Sequence, residues 1–208
     1  MKNMIDVALP IFDCDSNSPY DAFIKQDLQN RILVLNESVT EAIVNEEVMC
    51  ILRWNSEDRN IPSEKRKPIV LYINSKGGSS FDGQALIDVI LASKTKVKTV
   101  CLGMAASMAY LIFLAGHERY AFPNSCLLMH EGAQEISNSA SKTRDIMEFF
   151  EEVDERIKQY ILDRTLISSE FYDQVYKKEL WMYADKQGKE LGIVNKVIEQ
   201  DCDLDELF

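Results

Sequence analysis

Two segments of this 208-residue chain carry residue types able to perform acyl transfer. The first is Gly103-Met104-Ala105-Ala106-Ser107-Met108, a serine among small residues at the point where an apolar strand pattern gives way to an apolar helix. Small neighbours let a substrate backbone approach, and a helix N-terminus offers unpaired N–H groups and a positive dipole end to a developing oxyanion. The alternative is an ordinary N-cap, the commonest role of serine at such a position; the Gly-x-Ser-x-Gly elbow is absent. The second segment, Ala121-Phe122-Pro123-Asn124-Ser125-Cys126-Leu127-Leu128-Met129-His130, is a turn followed by an apolar strand ending on a histidine beside Glu131-Gly132. That placement suits a base facing a cleft, with a solvated or hydrogen-bonded histidine as the alternative. The chain has 2 histidines, so a Ser–His mechanism must choose between His130 and His117, which lies in the polar turn Gly116-His117-Glu118-Arg119 where a solvated role is the simpler reading. Neither histidine belongs to a ligand-spaced cluster, so no metal is expected, and Gly77-Gly78 lacks the GxxxxGK[ST] cradle of a nucleotide site.

The surrounding pattern sets the elements that must hold these residues. The first thirty residues mix apolar pairs with turn formers (Asp13 to Pro19) and read as a loosely structured arm, 1–30. Arg31-Ile32-Leu33-Val34-Leu35 has the β-branched density of a buried strand, and 38–54 repeats apolar residues (Ile43, Val44, Val48, Ile51, Leu52) at helical spacing. Between 56 and 68, Pro62, Pro68 and a block of mixed charge indicate a solvated loop. Then come a strand at 69–73, the turn Asn74-Ser75-Lys76-Gly77-Gly78, a helix over about 83–93, a strand over 97–102, Gly103, and a helix over about 106–115. Strand, glycine turn and helix occur twice in succession. This alternation predicts an α/β fold with a mostly parallel sheet, whose ligands sit at the carboxyl ends of the strands. From 141 to 161 the residues Ile146, Phe149, Phe150, Val153, Ile157, Tyr160 and Ile161 recur at steps of three and four, which predicts a long amphipathic helix. It either covers the sheet or projects to pack on a partner subunit.

Bulk properties exclude several classes of function. A formal charge of −11 is the wrong sign for a phosphate-binding surface, so no nucleic-acid partner is expected. The 5 cysteines are widely spaced with no CxxC pair, which suits reduced thiols and a cytoplasmic setting. No apolar stretch approaches the ~20 residues that span a bilayer, and no membrane partner is expected. The acidic end, 199–208, reads as a mobile tail.

Four motifs in order, spread over 31–198, resemble the Clp protease proteolytic subunit. They are Leu71-Tyr72-Ile73-Asn74-Ser75-Lys76-Gly77-Gly78, Gly103 to Met108, Pro123-Asn124-Ser125 through Met129-His130, and Glu190-Leu191-Gly192-Ile193-Val194. The resemblance implies a Clp/crotonase-like fold, with 31–198 as the peptidase domain, and hydrolysis of unfolded polypeptides or peptides by a serine endopeptidase without a cofactor. It also implies self-assembly into stacked heptameric rings, with a hexameric AAA+ unfoldase docking in apolar pockets on the ring face. Tyr72 matches an aromatic position of that pocket, and Val70 stands where a second tyrosine is common.

By the same resemblance Ser107 is the nucleophile and His130 its base, and the backbone N–H groups of Gly78 and Met108 form the oxyanion hole. Glu179-Leu180-Trp181-Met182-Tyr183-Ala184 reproduces the family's acid segment with Glu in place of Asp, which makes Glu179 the third member. An ungapped register from Glu190 puts Leu180 at that position instead, and Asp173 is a further candidate. Lys76 replaces a usual proline, Cys126 a usual arginine, and Glu131-Gly132 a usual Gln-Pro, as in divergent, phage-like members. Two other readings accompany this one: a non-catalytic ring subunit supporting active paralogues, and an acyl-CoA enzyme of the crotonase type on the same fold.

Overall fold

The computed structural model describes residues 19–133 and 136–208. A helix α1 (Pro19–Gln29) leads into strand β1 (Ile32–Leu35), and a π-helical turn (Val44–Val48) continues into α2 (Met49–Glu57). The central units follow: β2 (Ile69–Ser75), α3 (Ser80–Ala92), β3 (Val97–Ala106) and α4 (Met108–Ala115). Next are β4 (Glu118–Ala121), β5 (Cys126–Met129), the long helix α5 (Ala140–Arg164), α6 (Ser169–Val175), β6 (Leu180–Tyr183) and β7 (Lys196–Val197).

One sheet of seven strands organises the chain in the order β1-β2-β3-β4-β7, all parallel, with β5 parallel to β3 and β6 antiparallel to β5. The α/β alternation read from the sequence is therefore present. Strands β2 and β5 are near-continuous apolar runs with most residues buried, as expected of strands covered on both faces. β3 runs longer than its apolar pattern suggests and serves two neighbours: residues 98–101 pair with β4, and Met104 to Ala106 pair with β5. The fork separates β4 from β5 and carries the C-terminal ends of β2, β3 and β5 to the same region. α4 is buried on every side, and Ile112, Phe113 and Leu114 have no exposed surface.

Three expectations change. The segment read as a loose arm contains α1 within the described residues, and its Leu28 packs against the core; the turn formers Asp13 to Ser18 lie outside the described residues. The mixed-charge loop after α2 is not wholly solvated, since Asp58 is buried and receives two bonds from the Arg31 guanidinium (2.5 and 2.8 Å) and one from Thr95 Oγ1 (3.0 Å). A charge block hides its one paired member among solvated ones. The acidic tail is not free either: Leu207 has 0% exposure and packs with Val70, Val100, Tyr120 and Cys202 on the outer face of the sheet. Lys98 Nζ donates to Glu206 O (2.6 Å) and Lys196 pairs with the Glu206 carboxylate, so two lysines neutralise the tail where it lands.

The long helix is present at Ala140–Arg164. Val153 and Ile161, in its second half, are buried, whereas none of its first three turns is. Met147 and Phe149 there are 54% and 50% exposed, so the helix both covers the body and projects from it.

Candidate active site

Ser107 stands between β3 and α4 with φ 54° and ψ −124°. A left-handed φ on a non-glycine residue costs on the order of 1–3 kcal/mol and persists only where surroundings impose it. Here they do. The Ser107 N–H continues the β3–β5 ladder by donating to Leu128 O (3.0 Å), while its carbonyl already accepts from Tyr110 N (3.0 Å) in the first turn of α4. Strand becomes helix within one residue, and the serine stands at the corner. The Gly-x-Ser-x-Gly elbow achieves such a corner with glycines beside the serine; this chain places the glycine across from it. A Cβ on Gly77 (φ 89°) would lie 2.6 Å from Ala106 O and 2.8 Å from Met108 N, so only glycine lets the turn after β2 lie against the serine corner.

That turn is itself pinned. Val39 donates to Gly77 O (2.9 Å) and accepts from Ser79 N (2.8 Å), the alternate-residue pattern of a parallel bridge. In that pattern the N–H of the intervening residue, Gly78, points away from Val39. A Cβ on Gly78 would meet Val39 O at 2.3 Å, so this contact also demands glycine. Met108 opens α4, and its N–H, like others in a first helical turn, has no intrahelical acceptor.

His130 follows the last residue of β5, at the same end of the sheet as Ser107 and the glycine turn. Ser107 and His130 line one cleft with Met129, Tyr110 and Leu111, closed over by the α5 residues Phe150, Val153, Asp154, Ile157 and Ile161 and by Tyr176 of the segment after α6. The His130 Nε2 is buried and makes no hydrogen bond. His117 lies elsewhere: its Nδ1 accepts from Val97 N (3.1 Å) at the opposite end of β3, and burial holds its pKa below the usual histidine value.

The three positions considered for the acid separate. Asp173 is exposed on α6 and paired with Lys158 (2.7 Å). Leu180 lies opposite Met129 in the β5–β6 ladder. The ladder ends at that pair, so His130 and Glu179 are the first residues beyond it on either strand. The Glu179 carboxylate is exposed and accepts from Trp181 Nε1 (2.9 Å). Among the described residues no hydrogen bond joins Ser107 to His130 or His130 to Glu179.

Two cleft residues escaped the sequence reading. Asp154 interrupts the apolar stripe of α5, sharing its face with Phe150, Val153, Ile157 and Ile161. Tyr176 donates to Asp154 Oδ1 (3.3 Å), and its carbonyl accepts from Glu131 N (2.9 Å), so it joins α5 to the residue after the histidine. Burial, and secondarily the charge of Glu131, holds the Asp154 carboxyl above its usual range, partly offset by the Tyr176 hydroxyl. A lone acid in an otherwise apolar i, i+3, i+4, i+7 stripe was the available signal.

Residues 16–201 match the family model described as Clp protease. The ATP-dependent Clp protease proteolytic subunit 1 of Bacillus cereus (strain ATCC 10987 / NRS 248) is 30% identical over 183 residues, spanning 87% of this chain and 91% of its own length. With a parallel-rich α/β sheet and a long covering helix in place, the chain belongs to the Clp protease family.

Proposed function

We propose that this chain is a serine endopeptidase that cleaves peptides or unfolded polypeptides inside a self-compartmentalised oligomer of stacked heptameric rings, supplied by an AAA+ unfoldase. The observation that carries this reading is the meeting of three strand ends: the Gly77-Gly78 turn after β2, Ser107 at a left-handed corner after β3, and His130 after β5. Ser107 Oγ attacks the scissile carbonyl while His130 Nε2 takes its proton. The oxyanion of the tetrahedral intermediate accepts hydrogen bonds from the Gly78 and Met108 N–H groups, and His130 returns the proton to the leaving amine. Water then repeats the sequence on the acyl-enzyme. Glu179 acts on His130, fixing its tautomer and stabilising the imidazolium. Among the described residues the thiols of Cys50, Cys101, Cys126 and Cys202 are free, which accords with a reducing cytoplasm.

A fluorophosphonate probe on the assembled protein tests the reading directly. Labelling of Ser107, lost in Ser107→Ala, is expected together with peptidase activity. No labelling of the assembled protein overturns it. One observation favours a second reading, a ring subunit that supports active paralogues: the Glu179 carboxylate is engaged by Trp181, and His130 Nε2 has no partner. That reading predicts a silent homo-oligomer which becomes active only on mixing with a catalytic paralogue.

A further inference from the structure

The cleft beside Ser107 is lined by apolar side chains from α4, β5 and α5, and an apolar recess would accept an apolar residue next to the scissile bond. One feature departs from that. Asp154 stands on the same face of α5 as Phe150, Val153, Ile157 and Ile161, and among the described residues no other side chain lining the recess is a carboxylate. Its oxygen Oδ1 is held by the Tyr176 hydroxyl at 3.3 Å, which fixes the carboxylate relative to the cleft wall. Among the described residues no cationic side chain pairs with it: the neighbouring Lys158 is committed to Asp173 (2.7 Å), and no described Lys or Arg lines the recess. Glu131, at the mouth beside Gly132, adds a second negative charge to the field that Asp154 experiences.

A half-buried carboxylate with one neutral donor has lost water without gaining a counter-ion, an arrangement that favours an incoming cation. The side chain immediately N-terminal to the scissile bond lies beside the nucleophile, and the recess that Ser107 shares with Asp154 is open to it. The methylenes of lysine or arginine suit walls of Ile, Val, Met and Leu, and the charged head suits the acid. We propose that Asp154 is a specificity-determining residue that selects substrates with lysine or arginine on the N-terminal side of the cleaved bond. This rests on the serine-peptidase reading above.

The test uses the full-length assembled protein and fluorogenic peptide amides that differ only in the residue before the cleaved bond: arginine, norleucine or glutamate. The wild type is expected to prefer arginine over norleucine in kcat/KM and to reject glutamate. In Asp154→Asn the arginine-to-norleucine ratio is expected to fall by about 10- to 100-fold, the range for a charged hydrogen-bonded pair. In Asp154→Glu it should be partly kept. A wild-type preference for norleucine overturns the inference, as does an Asp154→Asn variant that loses kcat equally on all substrates, which would place the acid in service of His130. Fluorophosphonate labelling of Ser107 in the same samples separates the two levels. Labelled protein without an arginine preference overturns the specificity alone, whereas unlabelled protein overturns the peptidase reading and this inference with it.

Discussion

Glu179 is the residue on which the reading turns, because a Ser–His pair without an orienting acid retains the nucleophile but loses the correct tautomer of its base. It directly precedes Leu180, the last β6 residue paired with β5, as His130 directly follows Met129, yet its carboxylate is exposed and bonded to Trp181. A χ rotation away from the indole suffices to release it, since an exposed hydrogen bond contributes only about 1 kcal/mol. If Glu179 serves His130, Glu179→Gln should lower kcat by on the order of 100-fold or more with KM little changed, and should alter the alkaline-to-acid profile of kcat/KM. Glu179→Asp should recover part of the loss, and Asp173→Asn should behave as wild type because Asp173 is paired with Lys158 on the surface. Steady-state kinetics across pH decide this. A Glu179→Gln enzyme within about 2-fold of wild type would assign the carboxylate to the surface bond with Trp181 alone. By comparison, Ser107 and His130 were visible as residue types in suitable local settings, but what makes them convincing lies across the chain. The strained corner at φ 54° depends on Gly77, thirty residues earlier, and no local pattern around the serine announces it.

At the scale of elements, burial decides outcomes that local composition cannot. The π-helical turn Val44–Val48 puts Glu47, 4% exposed, in a recess lined by Phe23, Ile24, Leu28 and Leu33 together with Asp27 and Glu46, where one of its carboxylate oxygens has no partner. Burial, with minor contributions from Glu46 and Glu37, pushes its pKa up to about 7. An acid raised on folding stays protonated in the folded state over a range where the unfolded chain has released its proton. Stability from this group is therefore complete below about pH 4.5 and is lost as pH rises through about 7. The loss comes to about 3 kcal/mol, taking about 1.4 kcal/mol per pKa unit. Thermal unfolding of Glu47→Gln should accordingly show a higher Tm than wild type at pH 8 and little difference at pH 4.5; an equal effect at both values would point to packing in place of ionisation. The same logic explains which elements the sequence disclosed. The strands read at 31–35, 69–73 and 97–102 and helix α5 follow from periodicity that survives burial, since apolar spacing is what burial selects, whereas the extension of β3 to Ala106 has no such signal. α1 was obscured by the turn formers before it, and the packed tail by its acidic composition, because the partners that neutralise it, Lys98 and Lys196, are distant in sequence.

For the whole molecule, the unsettled surface is the first half of α5. Its first three turns bear no buried side chain, and they carry Met147 and Phe149 at 54% and 50% exposure, with Phe149 stacked against Phe81 (ring centroids 6.5 Å apart) and edge-on to Phe150 (5.8 Å). Helical stability in water comes mostly from packing an apolar face, so a projecting helix with exposed aromatics is stabilised by whatever covers it. In the oligomer proposed above, a second copy of the same chain is the natural cover. The cleft hangs on this too, since Phe150, Val153 and Asp154 close over Ser107 from the same helix. Each copy carries a formal charge of −11, so bringing copies together meets a repulsion that salt screens. Raising the salt from about 50 to about 500 mM shortens the Debye length from about 14 to about 4 Å, and the assembled species should gain at the expense of smaller ones in light scattering. Phe149→Asp should shift the distribution the other way at every salt concentration while leaving the circular dichroism of the subunit native-like, because that side chain is not part of the core. Peptidase activity should then follow the assembled fraction. A Phe149→Asp protein that assembles as wild type would move the inter-subunit contact off this helix, and the closure of the Ser107 cleft would have to be sought within the single chain.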